Sequence, residues 1–114
     1  MVFGHKTSEV KGIPVFHLMG ELIDRDQAKD LIAEVDKCIE GGNCKFVFEL
    51  EKLKYINSSG LGIMITLLTR ARKNGGEVVI CCVSQKVKEL LVITKLNTVF
   101  TVTKNLESAV EKLK

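Results

Sequence analysis

The chain has 114 residues, of which 46% are apolar and 27% are charged, and its formal net charge is +3. This balance is typical of globular proteins, and we expect one domain, residues 1–114, that buries a core without disulfides or metals. The net charge is small and the lysines are spread along the chain, which argues against a nucleic-acid-binding surface, so we expect no direct nucleic-acid partner.

The apolar segments and the cysteines indicate whether the protein enters a membrane, is secreted or binds a metal. No segment reaches the roughly 18 apolar residues of a membrane span, and the first ten residues carry no apolar signal core. We therefore expect a cytoplasmic protein without membrane insertion. No Cys-x-x-Cys motif occurs, so we expect reduced structural thiols, no metal site and no cofactor. The cysteines are Cys38, Cys44, Cys81 and Cys82.

The first third of the chain predicts two strands and a helix. "VFGHKTSEV" and "IPVFHLMGEL" have strand character and are joined by a short turn at Lys11-Gly12. "DRDQAKDLIAEVDKCIEGG" predicts a helix, with Asp24 and Gln27 at capping-box spacing. Its apolar residues form one stripe at helical spacing: Ala28, Leu31, Ile32, Val35 and Ile39.

The rest of the chain alternates strands and helices. "CKFVFEL", "EVVICCV" and "TVFTV" predict strands, and in the second of these Cys81 and Cys82 should point to opposite faces. Helices are predicted from the serines to about Lys73, over "SQKVKELLVITKL" with Ser84 as cap, and over "NLESAVEKLK". The order ββαβαβαβα predicts an α/β fold: an N-terminal β-hairpin, then alternating units, giving a mixed, mostly parallel sheet of about five strands flanked by helices.

The segment "LKYINSSGLGIMITLL" places two serines on a glycine-marked turn before a helix. A hydrolase nucleophile is one interpretation, but the elbow pattern Gly-x-Ser-x-Gly is absent. A serine nucleophile also needs a histidine base held by a third group. His5 and His17 both lie in predicted strands before the first helix, so the residues argue against hydrolysis.

Two other interpretations of the turn are a phosphate cradle and a helix cap. The Walker A pattern is absent, and Gly60-Leu61-Gly62 lacks the third glycine of a dinucleotide fingerprint. Asn57 or Ser58 can cap the helix by accepting from its free N–H groups. A cap alone does not explain two serines followed by two glycines, which leave the turn open to the close approach of a partner.

The helix after the serines has an apolar arc about twice as wide as one core contact needs. Leu61, Met64, Ile65, Leu68 and Ala71 form one stripe, with Ile63 and Leu67 beside it. The extra width has two explanations, burial by a neighbouring helix or a partner's surface. In the second case Thr66, Thr69 and Arg70 form the polar border.

These residues resemble a known family. "INSSGLGIMITLLTRARKNGGEVVICCVSQKVKELLVITKL" is similar to the central segment of bacterial anti-sigma factor antagonists, which are single STAS domains. The family pattern there is Asp-Ser-Ser-Gly-Leu-Gly, a helix, Gly-Gly, a strand and a capped helix. The upstream "LMGEL" resembles the family's Leu-x-Gly-Glu-Leu turn at similar spacing, so the resemblance covers nearly the whole chain.

The resemblance implies a regulatory substrate and not an enzyme. The unphosphorylated protein would bind an anti-sigma factor that is also a serine kinase, which frees the sigma factor. The kinase would then phosphorylate Ser58 and the complex would separate, and a PP2C-type phosphatase would reset the switch. Ser59 would support the acceptor, and Asn57, Ser59 and Gly60 would shape its turn. Further partner contacts implied are Glu21, Asp24, Ile63, Leu67 and Arg70.

The chain departs from the family pattern at two positions. Asn57 stands where the family has an acidic residue and lacks the charge that a kinase can recognise. Ile23 follows the Gly-Glu-Leu turn where relatives commonly have an acidic residue or threonine. Asn57 therefore leaves open an alternative, a constitutive STAS subunit of a membrane lipid or anion transporter that binds an ATPase or permease without phosphorylation.

Overall fold

The computed structural model describes residues 3–114, which form one five-stranded sheet with helices on both faces. The first two strands pair antiparallel and the others parallel, and the spatial order of the strands is their order in the chain. The predicted α/β architecture is confirmed. The strands are β1 (Gly4–Val10), β2 (Ile13–Leu22), β3 (Lys45–Ile56), β4 (Glu77–Cys81) and β5 (Thr101–Thr103), and the helices are α1 (Lys29–Glu40), α2 (Ser58–Lys73), α3 (Gln85–Ile93) and α4 (Leu106–Leu113).

Local sequence signals set the turns and caps. Lys11 and Gly12 join β1 to β2 with positive φ angles of 50° and 81°, as a tight two-residue hairpin turn requires. The backbone N–H of Gln27 donates to Asp24 Oδ1 (3.0 Å), and the Asp24 N–H donates to Gln27 Oε1 (3.1 Å). The predicted capping box is therefore present, and a short 3-10 turn (Asp26–Ala28) leads from it into α1.

The two faces of the sheet pack differently. Phe16, Phe46 and Phe48 are fully buried on one face, with ring centroids 5.5 to 6.1 Å apart in edge-to-face contacts. Side chains of α1, α2 and α3 join the phenylalanines in one apolar core. The opposite face has a smaller core in which valines of β2, β3 and β4 pack against Ala109 and Leu113 of α4.

Several element boundaries differ from those predicted. β3 continues through Ile56 because Leu53 and Ile56 are buried and pair with β2 across two register shifts, which break the expected alternation. β5 begins later than predicted because a 3-10 turn (Leu96–Thr98) precedes it. α3 ends at Ile93 and not near residue 96.

All four cysteines are free thiols. Cys81 and Cys82 were predicted to point to opposite faces if both lie in a strand. However, the strand ends at Cys81, and Cys82 adopts a positive φ of 61°. Its side chain does not point to the opposite face, and the two sulfur atoms lie 3.5 Å apart. Burial raises the pKa of the Cys81 thiol, so the thiol stays protonated and weakly nucleophilic at neutral pH.

Candidate functional site

Ser58 is the first residue of α2, immediately beyond the carboxyl end of the central strand β3. The helix is capped by Asn57, which has extended backbone geometry and whose Oδ1 accepts the Gly60 N–H at 2.9 Å. This settles which of the two residues caps the helix. Ser58 and Ser59 are both exposed. The cap therefore leaves the Ser58 hydroxyl available to solvent and to a partner.

Asn57 also fixes the turn to the loop after β2. Its Nδ2 donates to the Ile23 carbonyl (3.1 Å), and its backbone N–H donates to the Leu22 carbonyl (3.4 Å). An ionised aspartate can supply the cap but has no N–H for the Ile23 carbonyl. Asparagine at this position therefore provides a connection between the two loops that an acidic residue cannot make.

At Gly60, α2 lies close against the end of β2. A Cβ on Gly60 would lie 2.4 Å from the Leu22 carbonyl oxygen and 2.7 Å from Ile56 Cγ1. The absence of a side chain lets the serine turn sit against the ends of β2 and β3. Gly62 is exposed, and a Cβ there would meet no atom within 4 Å. The two glycines of the Gly-Leu-Gly motif thus have different roles.

The structure places two predicted contacts in the core. Ile63 is 4% exposed and Leu67 is 0% exposed, so neither can form part of a partner-binding surface. Predicting them as partner contacts was wrong. The wide apolar arc of α2 is buried because α1 packs beside α2 on the same face of the sheet. The alternative explanation, burial by a neighbouring helix, is the correct one.

Arg70 also has a structural contact. Its Nη1 lies 2.9 Å from both carboxylate oxygens of Asp36, so Arg70 ties α2 to α1. It is twelve residues beyond Ser58, which at 1.5 Å per residue is about 18 Å along the helix. Arg70 therefore lies well away from the serine turn, unlike the candidate partner contacts Glu21 and Asp24.

Glu21 and Asp24 lie closer to the turn. Glu21 pairs in register with Tyr55 on the adjacent strand, three residues before Ser58. Asp24 is exposed and belongs to the capping box that begins the path into α1. Both acidic residues are on the segment that Asn57 holds through the carbonyls of Leu22 and Ile23.

A cavity of about 310 Å³ adjoins Ser58 and brings in residues that the sequence did not single out. It lies between the start of α2 and the start of α3, because both helices begin at the carboxyl edge of neighbouring parallel strands. Tyr55 is 50% exposed here, and Ile23 on the adjoining loop is 38% exposed. The lining residues are Lys54, Tyr55, Ile56, Asn57, Ser58, Lys86, Val87 and Leu90.

The two histidines are bonded elsewhere. His17 lies between Ser8, whose Oγ is 2.8 Å from Nε2, and Glu49, whose Oε1 is 2.7 Å from Nδ1. His5 pairs with Glu34 at 3.2 Å. The Ser8–His17–Glu49 chain crosses β1, β2 and β3 on the sheet face that carries α4, and Ser8 is exposed on the edge strand β1. Both histidines are therefore bonded to partners other than Ser58, and neither is placed to act as its base.

No cluster of three or more histidine, cysteine, aspartate or glutamate side chains suited to a metal ion occurs among residues 3–114. Within the same residues, no helix combines the length and the apolar character that crossing a bilayer requires.

Comparison with known proteins gives consistent results. The chain is 28% identical over 104 residues to a protein named anti-sigma F factor antagonist from Paenibacillus polymyxa, covering 90% of this chain and 88% of that one. Its fold is similar to a crystal structure of an anti-sigma factor antagonist from Mycobacterium paratuberculosis, with a TM-score of 0.82 and 19% identity over 97% of this chain and 93% of that one. It is also similar to the Bacillus cell fate determinant SpoIIAA in its phosphorylated form, with a TM-score of 0.74 and 17% identity over 97% of this chain and 100% of that one.

The family model for the STAS domain matches residues 6–109, which is nearly the whole chain. The matched residues include all of β2, β3 and β4 and the serine turn with its cap. This chain belongs to the STAS domain family.

Proposed function

We propose that this STAS domain is an anti-sigma factor antagonist that is controlled at Ser58. In its unphosphorylated form it binds an anti-sigma factor that is also a serine kinase and so releases a sigma factor. Phosphorylation of Ser58 ends the interaction, and a PP2C-type phosphatase restores it. The observation that carries the proposal is the exposed Ser58 hydroxyl, which Asn57 leaves free by capping α2 in its place.

The surroundings of Ser58 favour a protein partner. Exposed apolar side chains are common at binding surfaces when they cluster beside an open turn. Tyr55 and Ile23 are exposed next to the turn, and Gly62, which has no side chain, is exposed as well. Glu21 and Asp24 supply the acidic border of the same surface. Ser59 supports the turn, and Ser58 is the acceptor.

The electrostatics of a phosphate at this position favour separation of the complex over unfolding. A phosphoserine carries about −1.5 to −2 charges at neutral pH. At the N-terminus of α2 the helix dipole stabilises that charge by only about 0.3–1 kcal/mol, so the fold changes little. Burying the same charge under a partner costs several kcal/mol unless it is paired, and every 1.4 kcal/mol is tenfold in affinity.

Lys54 and Lys86 stabilise the phosphate in the free protein. Both line the cavity beside Ser58, so a phosphate there has cationic neighbours while it remains hydrated. A partner that covers the turn removes water from these charged groups, and their mutual attraction returns only part of that desolvation cost. The free, phosphorylated protein is therefore favoured over the phosphorylated complex.

The decisive experiment measures binding of the anti-sigma factor encoded in the same genome to three forms of the protein. Ser58→Asp should weaken binding at least tenfold and shift the thermal midpoint by no more than a few degrees. Ser58→Ala is the matched control, because it removes the hydroxyl without adding a charge, and it should retain most of the affinity. Global unfolding of Ser58→Asp, or its full retention of affinity, would overturn the proposal.

Intact mass of the protein purified from its host tests the phosphorylation step directly. A phosphoryl group on Ser58, mapped by fragmentation, is the expected result. An unmodified Ser58 under several growth conditions, with stable binding to an ATPase or permease, would instead support a constitutive transporter subunit.

A further inference from the structure

A second exposed apolar surface lies on α3 and β5. Among residues 3–114, six large apolar or aromatic side chains are exposed, and four of them lie between residues 92 and 102. Ile93 is 77% exposed and Val92 is 55% exposed, and both are on the last turn of α3. Val102 of β5 is 37% exposed. We call the following set the α3–β5 surface: Gln85, Lys88, Val92, Ile93, Val102 and Lys104.

This surface is concave and continuous. One hollow of about 280 Å³ is lined by Gln85, Lys88, Glu89, Val92 and Ile93. A second, of about 490 Å³, lies between α3 and β5 and includes Val102 and Lys104. Gln85 and Lys88 line both, so the two hollows adjoin. Adjoining shallow hollows can each receive an apolar side chain of a protein partner.

The charged residues of the surface indicate the chemistry of its partner. Lys88 and Lys104 both line the hollow between α3 and β5, and no acidic residue lines that hollow. Glu89 lines the other hollow, so the two hollows together carry a net charge of +1. An acidic segment with apolar side chains complements both the positive charge and the exposed apolar side chains, and a second copy of this chain, being basic there, does not.

The α3–β5 surface lies within reach of a partner that sits on the serine turn. A typical interface covers about 800 Å² on each partner, which corresponds to a disc of radius about 16 Å. On α3, the Ser58 cavity is lined by Lys86, Val87 and Leu90, and the α3–β5 surface includes Gln85, Lys88, Val92 and Ile93 of the same helix. A helix with its side chains is about 10–12 Å across, so a footprint of ordinary size centred on the Ser58 cavity extends across α3 to this surface.

We propose that the anti-sigma factor that docks on Ser58 also covers the α3–β5 surface with an acidic, apolar segment. This inference rests on the proposed function. The apolar side chains of that segment occupy the hollows beside Val92 and Val102, and its carboxylates face Lys88 and Lys104. Phosphorylation of Ser58 releases the partner from the turn, and the α3–β5 surface sets how tightly it binds beforehand.

The experiment compares the affinity of the anti-sigma factor for charge variants of the full chain. Lys88→Glu with Lys104→Glu should weaken binding at least tenfold, and the two glutamine replacements should weaken it less. The matched control, Lys29→Glu with Lys37→Glu, makes the same change in net charge on α1 and should alter affinity less than twofold. Added salt should weaken binding of the wild type more than that of the Lys88/Lys104 charge-reversal variant, because fewer opposed charges remain to be screened.

The apolar part is tested by Val92→Ser with Ile93→Ser, which should also weaken binding at least tenfold. Both side chains are exposed, so this variant should keep the wild-type circular dichroism spectrum. Wild-type affinity in the charge-reversal and serine variants, with Ser58→Asp still defective, would overturn this inference and leave the proposed function standing. No binding by the wild-type protein would overturn both.

Two further outcomes would identify another occupant and so refute the inference. One is loss of binding to phosphatidylglycerol vesicles in the charge-reversal variant, with affinity for the anti-sigma factor unchanged. The other is concentration-dependent dimerisation of the wild type that Val92→Ser with Ile93→Ser abolishes, again with unchanged affinity for the anti-sigma factor.

Discussion

Two neighbouring helices of this protein begin on serine-containing turns, and the two turns use their serines differently. At the start of α3, Ser84 is the cap, and its Oγ accepts the Val87 N–H at 3.2 Å. At the start of α2, Asn57 is the cap, and Ser58 is the next residue, already inside the helix. The fold requires the hydroxyl of Ser84 but not that of Ser58. A serine with no structural task on an exposed turn is the more suitable one for reversible modification.

The largest expected change in stability comes from Gly60→Ala, which disrupts the packing of the first turn of α2 against β2. The new Cβ would lie 2.4 Å from the Leu22 carbonyl, which belongs to the backbone and cannot rotate away. We expect a loss of about 2–3 kcal/mol in the free energy of unfolding, as for other overpacked sites. Urea denaturation monitored by circular dichroism measures this change.

Gly62→Ala is the matched control, two residues further along the same motif. Its Cβ meets no atom within 4 Å, and alanine is the better helix former. We expect a gain of about 0.5–1 kcal/mol. Equal losses in the two variants would contradict the distinction between the glycines and show that the motif acts as a whole.

Asn57→Ala should have the next largest effect. It removes the cap on Gly60 and the hydrogen bond to the Ile23 carbonyl together. We expect a loss of about 1–2 kcal/mol, the upper part of the range for capping residues. Asn57→Asp separates the two contacts, because it keeps the acceptor for Gly60 but has no donor for Ile23.

For Asn57→Asp we expect stability close to that of the wild type. The carboxylate gains about 0.3–1 kcal/mol from the helix dipole, which offsets a lost hydrogen bond of similar size. The Ile23 loop should nevertheless exchange its amide hydrogens faster. Unchanged exchange there would show that the asparagine does not hold the two loops together.

Much of the fold was predictable from the sequence because it follows from local pattern. The apolar spacing in α1, the capping box at Asp24 and the alternation of strands and helices gave the elements in their order. The far end of β3 was missed because two register shifts break the period-two pattern of Leu53 and Ile56. No local signal reports such a shift.

The site was predictable only in part, for reasons of tertiary packing. Asn57 and Ser58 are both good caps, and only the backbone geometry shows that Asn57 fills the position. Ile63 and Leu67 were misassigned because a helical pattern gives the width of an apolar arc but not what covers it. The residues of α3 that line the Ser58 cavity were not predicted. They could have been, because α2 and α3 follow neighbouring parallel strands and therefore begin at the same edge of the sheet.

The smallest effects compare the two serines directly. Ser84→Ala removes a capping oxygen and should lower the free energy of unfolding by about 1 kcal/mol. Ser58→Ala removes an exposed hydroxyl that caps nothing, and its effect should stay within about 0.5 kcal/mol. Both are single-oxygen deletions at neighbouring helix starts, so the change in side-chain volume is the same in the two variants. A loss at Ser58 as large as that at Ser84 would mean that its hydroxyl stabilises the turn, and phosphorylation would then act on the fold as well as on the partner.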